Sequence, residues 1–303
     1  MNRRKIQCFA AAALAAILAF GAAEFPALAN SAPTVQNQEL ETYRGVSVGG
    51  RLSAVDPDGD TVIYRVTTQP VKGAVELKEN GEFVYTPADG KKGKDYFGYK
   101  ASDMNGNTSQ EGTVIVTISR KKAAVTYSDM TGSGEYLDAV TLAQEGIFTG
   151  EKVGDTWLYE PERSVSRGEF LSMCMELADT RLLSGVLSTG FLDDTDIPGW
   201  EKPYVATAVM NGTVCGYSAA GGANFDSSKP VTMAEAAVML SSAVGFENVA
   251  VADTGSSVPG WAAQSVANLA SHSIPTDGAV SSAVTRAQAA RMLVKALNAL
   301  KAK

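Results

Sequence analysis

The sequence predicts a chain of two domains, an N-terminal antiparallel β-sandwich followed by an all-α domain of three helix–loop–helix units. Three observations carry this reading. Apolar residues recur with a period of two from about Pro33 to Ile118, as strands with one buried face require. Beyond Tyr127 the period becomes helical. Within the helical region a single phrase occurs three times, as "VSRGEFLSMC" from Val165, "VTMAEAAVML" from Val231 and "VTRAQAARML" from Val284.

The first 29 residues stand outside both domains. Arg3, Arg4 and Lys5 precede an apolar run from Phe9 to Phe20, and Ala27-Leu28-Ala29 has the small-x-small form of a signal-peptidase site. The expected mature chain is exported and begins at Asn30. The run is shorter than the roughly 20 residues that span a bilayer, and no later segment is apolar for long enough to do so. Removing residues 1–29 discards three cations and one anion, which takes the net charge from −7 to −9. Such an acidic chain does not suit nucleic acid or an anionic membrane surface as its main partner. Cys174 stands where the other two phrases have Leu240 and Leu293, so it reads as a buried apolar residue, and a Cys174–Cys215 disulfide is not expected.

Residues 30–119 form the predicted sandwich. Val62, Tyr64 and Val66 alternate with polar neighbours, as do Phe97, Tyr99 and Ala101, then Val114, Val116 and Ile118. Between Val75-Glu76-Leu77 and Phe83-Val84-Tyr85 lies Asn80-Gly81, a hairpin signal because both residues tolerate positive φ. Asp56, Asp58 and Asp60, with Asp103 from a neighbouring loop, suit a calcium ion by residue type and spacing. The same segment also reads as a plain turn, with Pro57 and Gly59 setting the backbone and the Asp side chains accepting local N–H groups. It is not an EF-hand, since Thr67 occupies the twelfth position. The segments "DPDGDTVIYRV", "GEFVYTP" and "DYFGYKASDMNGN" resemble bacterial cadherin-like or Ig-like modules. That resemblance implies a spacer or adhesive sandwich, sometimes stiffened by calcium.

Residues 120–126 read as a linker, and three units follow at about 127–182, 190–246 and 250–300. Each opens on an acidic turn, at Asp129, Asp193 and Asp253, and continues into a helix such as "WEKPYVATAVMNG". A loop then leads to a second helix that starts with a capping box, Ser166 with Glu169, Thr232 with Glu235 and Thr285 with Gln288. Phe170, Met173, Cys174 and Leu177 keep helical spacing, as do the matching residues of the other units. Each unit is too small to bury its apolar face alone, so the three must pack together.

The phrases "FLDDTDIPGW", "VADTGSSVPGW", "GGANFDSSKPVTMAE" and "VTRAQ" resemble the S-layer homology (SLH) domain from about Val125 to Leu300. The resemblance implies a pseudo-threefold bundle that binds anionic secondary cell-wall polysaccharide, often pyruvylated, in grooves between its units. It implies a secreted protein held non-covalently on the wall, with Asp129, Asp193, Asp253, Arg167, Arg286, Trp200 and Trp261 at the polymer-binding positions. Arg167 and Arg286 fall in a first helical turn, where the helix dipole mildly disfavours a cation. Beside free backbone N–H groups such an arginine makes a small anion site that grips a carboxylate. The other reading is a solvated or intramolecularly paired side chain. Trp200 and Trp261 read either as flat surfaces for a sugar ring or as wedges in the bundle. Met233 replaces the arginine in unit two and Glu135 stands at the tryptophan place in unit one, so at least one groove is expected to be weak or lost.

Catalysis is not expected. His272 is the single histidine, and no metalloprotease, phosphate-loop, nucleophile-elbow or paired-cysteine motif is present. Two readings of other classes stand beside the anchor. One is a wall-glycan hydrolase built on two carboxylates. The other makes the sandwich itself a carbohydrate- or protein-binding module.

Overall fold

The computed structural model describes residues 30–251, 258–276 and 278–302. The expected signal segment, residues 1–29, and Asp253 lie outside the described residues.

Nine strands build the sandwich: β1 Thr34–Val35, β2 Gln38–Thr42, β3 Val48–Arg51, β4 Ala54–Val55, β5 Ile63–Thr68, β6 Gly73–Leu77, β7 Glu82–Pro87, β8 Gly93–Ser102 and β9 Gly112–Ile118. A four-stranded sheet, β2-β9-β8-β5, faces a three-stranded sheet, β3-β7-β6, while β1 and β4 pair separately. Phe83 and Phe97 meet edge to face across the core at 5.1 Å between ring centroids, an arrangement favoured by the ring quadrupoles. Two fully buried tyrosines keep their hydroxyls satisfied, Tyr85 on Asp95 at 2.7 Å and Tyr99 on the Gln36 carbonyl at 2.6 Å. The Asn80-Gly81 turn joins β6 to β7, with Gly81 at φ +83°. The expected strand directions need correction, because the sandwich is not wholly antiparallel. β2 pairs with β9 in parallel, from Gln38↔Val114 to Thr42↔Ile118. These strands sit at opposite ends of the module, so no short turn dictates their relative direction.

The helical domain contains α1 Tyr136–Gln144, α2 Arg167–Leu177, α3 Lys202–Met210, α4 Met233–Val244, α5 Gly260–Ser271 and α6 Arg286–Lys301. It is not all-α, which corrects a second expectation. Units one and two each insert a small antiparallel hairpin between their helices, β10 Glu151–Val153 with β11 Thr156–Leu158, and β12 Tyr217–Ala219 with β13 Gly222–Asn224. Three residues per strand are too few for alternation to show in sequence.

The three capping-box helices meet through a closed ring of backbone hydrogen bonds. Val165 N–H donates to Val284 O at 2.9 Å, Val284 N–H to Val231 O at 2.9 Å, and Val231 N–H to Val165 O at 3.0 Å. All three valines are fully buried. Around the ring each helix start is capped by the loop of the next unit. Arg167 and Gly168 N–H bond Lys229 O and Ser227 O; Met233 and Ala234 N–H bond Ser282 O and Val280 O; Arg286 and Ala287 N–H bond Arg163 O and Pro161 O. The third first-turn N–H goes to the Ser166, Thr232 or Thr285 hydroxyl of the capping box. One apolar core then runs through all three units, from Phe170 and Cys174 to Leu240 and Leu293.

The two domains are packed together rather than loosely tethered. Val46, in the turn between β2 and β3, is fully buried within the core of the helical domain. Gly49 N–H donates to Gly134 O at 3.1 Å and Gly132 N–H to the Ser47 hydroxyl at 3.0 Å. Ala123 and Val125 of the connecting segment also pack on the helical core. Cys174 and Cys215 are both free thiols, the first buried and the second exposed.

Helix α1 closes the ring against α6, and a charged group there makes stability depend on pH. Burial, reinforced by Glu135, pushes the Asp138 carboxyl up to about 7 against the opposing pull of Lys295 and Arg291. A carboxyl raised on folding holds a proton that it gives up on unfolding, so its contribution favours the folded chain at low pH and fades as pH rises from about 4 to 7. Asp138→Asn is therefore expected to raise the melting temperature strongly at pH 8 and by clearly less at pH 5. Melts of both chains at the two values check this.

Candidate functional site

The residues singled out in the helical domain converge on the joints between units. Arg286 starts α6, and its first-turn N–H bonds pull that helix start onto the loop after β11. Its guanidinium lies 5.1 Å from the Phe148 ring centre and donates to Tyr159 O at 3.1 Å, Glu160 Oε2 at 3.0 Å and Glu151 Oε1 at 3.1 Å. Glu169, the acid of the unit-one capping box, stands 3.6 Å away. Arg163 grips the same Glu151 and Glu160 oxygens from outside at 2.6 and 2.8 Å. Hydrogen bonds from Arg286 and Arg163 hold the Glu151 carboxyl below its usual range.

Arg167 repeats this arrangement one joint on. Its guanidinium lies 4.5 Å from the Tyr217 ring centre and 5.2 Å from that of Phe225, its Nε donates to Phe225 O at 3.0 Å, and its Nη1 is 3.4 Å from Glu235, the unit-two capping acid. Lys229 stands where Arg163 stands in the first joint, 4.1 Å from the Tyr217 ring centre. At the third joint, Met233 replaces the arginine and Gln288 replaces the capping acid. The cation and its capping-acid partner are lost together.

Of the two readings of these arginines, the intramolecularly paired one describes their contacts in this structure. Arg167 and Arg286 do not sit beside free helix N–H groups, since the loop carbonyls and the capping hydroxyls take them. The two residues are only 4% and 2% exposed, and each is paired across a joint. A buried guanidinium must be paired because losing its water is expensive, and the acid of the neighbouring capping box is placed to do this. Glu169 and Glu235 thus hold their own helix caps and face an arginine from another unit.

The acidic turns are clamps on the hairpins. Asp129 accepts N–H groups from Tyr159 at 3.0 Å and Glu160 at 2.7 Å, and Asp193 accepts them from Phe225 at 2.8 Å and Asp226 at 2.7 Å. Glu160 and Asp226 both adopt φ +55°, a left-handed conformation that needs such support in residues other than glycine. Trp200 and Trp261 lie at matching helix starts and are 56% and 62% exposed; they are not wedges in the bundle. Sequence reasoning did not pick out Glu151, Glu160 and Tyr217, each of which meets an arginine from another unit, or Arg163, which pairs with Glu151 and Glu160 in its own unit.

In the sandwich the four aspartates do not form a ligand shell. Asp56 Oδ1 accepts the N–H groups of Asp58 and Asp60 at 2.9 and 3.2 Å, and Asp103 Oδ1 accepts those of Asn105 and Asn107 at 2.9 and 2.8 Å. Asp58 accepts Ser31 N–H, and Asp60 accepts the Asn105 side-chain amide. Asp56 Oδ2 alone is a buried oxygen without a partner among them, and among the described residues no three acidic, thiol or imidazole groups gather as a metal centre. The local turn bonds account for this arrangement. Millimolar calcium is expected to leave the melting temperature unchanged; a rise of several degrees would show a linked site.

Residues 30–120 match the bacterial cadherin-like domain. The surface-layer 125 kDa protein of Lysinibacillus sphaericus is 29% identical over 162 residues, covering 48% of this chain and 13% of its own length. The chain thus spans about an eighth of that relative. Among solved structures, the PKD domain of an M14-like peptidase from a Thermoplasmatales archaeon is 24% identical over 30% of this chain and 100% of its own, with a TM-score of 0.24. Drosophila N-cadherin EC1-3 is 20% identical over 32% of this chain and 38% of its own, with a TM-score of 0.27. Among the described residues no helix is long and apolar enough to cross a membrane.

Proposed function

We propose that this chain is a non-catalytic cell-surface protein, whose three helical units anchor it to an acidic secondary cell-wall polysaccharide, of the pyruvylated kind, while the cadherin-like module is displayed outward. The observation that carries the reading is the pair of solvent-facing tryptophans, Trp200 and Trp261, at matching helix starts of units two and three. Large aromatic rings left exposed in equivalent places suit stacking against sugar rings. The likeness to a surface-layer protein supports the same setting. At the joint between units three and one, Glu151 and Glu160 are 50% and 38% exposed while Arg286 beneath them is buried. A carboxylate on the polymer would take their place on Arg163 and Arg286, exchanging one charge-assisted pair for another.

The double variant Trp200→Ala/Trp261→Ala tests this reading, because neither exposed ring holds the core. Co-sedimentation with purified wall sacculi is expected to fall about tenfold or more, as for loss of two stacking contacts of about 1 kcal/mol each, with an unchanged melting temperature. Undiminished sedimentation would contradict it.

A further inference from the structure

A groove follows the seam between the sandwich and the first helical unit. Its two lobes have volumes of ≈310 and ≈330 Å³ and share Arg44, Gly45 and Thr126. Trp157 and Asp155 border one lobe, and Asp89 and Lys122 border the other. Arg44 occupies the tip of the turn from Tyr43 to Val46, where Val46 N–H donates to Tyr43 O at 3.2 Å and Gly45 has φ +72°, as the third residue of a type II turn requires. The turn is pinned on both sides, since Val46 is buried in the helical core and Tyr43 packs against it.

Arg44 differs from the joint arginines in having no carboxylate partner. Among the described residues none lies within ion-pair distance of its guanidinium, and its Nε is shielded from solvent without a hydrogen-bond acceptor. In a chain with 33 acidic and 26 basic residues an arginine without a carboxylate partner held in a groove is unexpected, and its terminal guanidinium nitrogens are the groups an anion in the groove would meet. Lys152 lies over the Trp157 ring at 5.9 Å and is not among the residues that line the groove.

We propose that the seam groove binds a sugar bearing a carboxylate or phosphate. The anion pairs with Arg44, the sugar ring lies along Trp157, and Asp155 accepts its hydroxyls. Fixed cation, aromatic surface and hydroxyl acceptor together select an acidic sugar over a neutral one. The proposal does not rest on the wall-anchor reading and uses none of the residues that pair across the joints.

Calorimetric titration of residues 30–303 with glucuronate, glucose 6-phosphate, glucose and inorganic phosphate tests it. One of the acidic sugars is expected to bind at least about tenfold more tightly than glucose and than phosphate, and which one binds identifies the anion. Arg44→Gln is expected to weaken that binding about tenfold or more with the melting temperature unchanged, and Arg44→Lys to recover some of it. Asp155→Ala, at an exposed hairpin tip, provides a second variant independent of the turn and is expected to weaken the sugar without strengthening phosphate. Saturable binding by neither acidic sugar would overturn the proposal. So would wild-type affinity in Arg44→Gln, or inorganic phosphate binding as tightly as the acidic sugar.

Discussion

Arg286→Ala is expected to destabilise the chain by about 3 kcal/mol, the lower end of the range for removing one partner of a buried ion pair. The residue is 2% exposed and holds Glu151, Glu160 and the Tyr159 carbonyl, with Glu169 close by. Without it, Glu151 and Glu160 keep only Arg163 as a cation and Glu169 loses Arg286, and the helix start loses its side-chain contact with the loop after β11. The lower end applies because Glu151 and Glu160 reach solvent at their outer side. Urea denaturation gives the shift directly. The third joint supplies the converse: Met233, 3% exposed, has Gln288 in place of a capping acid, so Met233→Arg should destabilise by burying a charge without that partner, and adding Gln288→Glu should recover some of the loss. A double-mutant cycle between these positions measures the pairing itself.

Val46→Asp is expected to destabilise the chain by at least about 3 kcal/mol, because it buries an unpaired carboxylate in an apolar site. Val46 belongs to the sandwich in sequence but to the helical core in space. The substitution should therefore lower the stability of the helical domain as well as that of the seam, which protection of α1 amides against hydrogen exchange would reveal. Loss confined to the sandwich strands would mean that the two domains do not share this core.

The features of the fold read most directly from sequence are those set by local rules. All three capping boxes form, because the hydroxyl and its acid or amide lie on one helix turn and need no distant partner. The alternation of Phe97, Tyr99, Val114 and Val116 marks the sandwich core for the same reason. What sequence did not reveal depends on residues far apart in the chain. The direction of Arg286 is fixed by Glu151 and Glu160, which lie 135 and 126 residues away. A trace of the pairing was nevertheless present, since the unit that follows the one with Met233 is also the one whose capping acid has become Gln288. Around the ring, rather than along the chain, cation and acid disappear from the same joint. The hairpins were missed because three-residue strands carry no period, and the parallel β2–β9 pair because register between sequence-distant strands is decided only by packing.

One sedimentation measurement decides the anchoring role. Residues 30–303 are mixed with wall sacculi that retain their secondary polysaccharide and, in parallel, with sacculi from which it has been extracted. Anchoring through the polymer requires that the chain pellet with the intact wall and stay in the supernatant with the extracted wall, and that free extracted polymer compete it off. Equal pelleting with both preparations would rule out anchoring through that polymer.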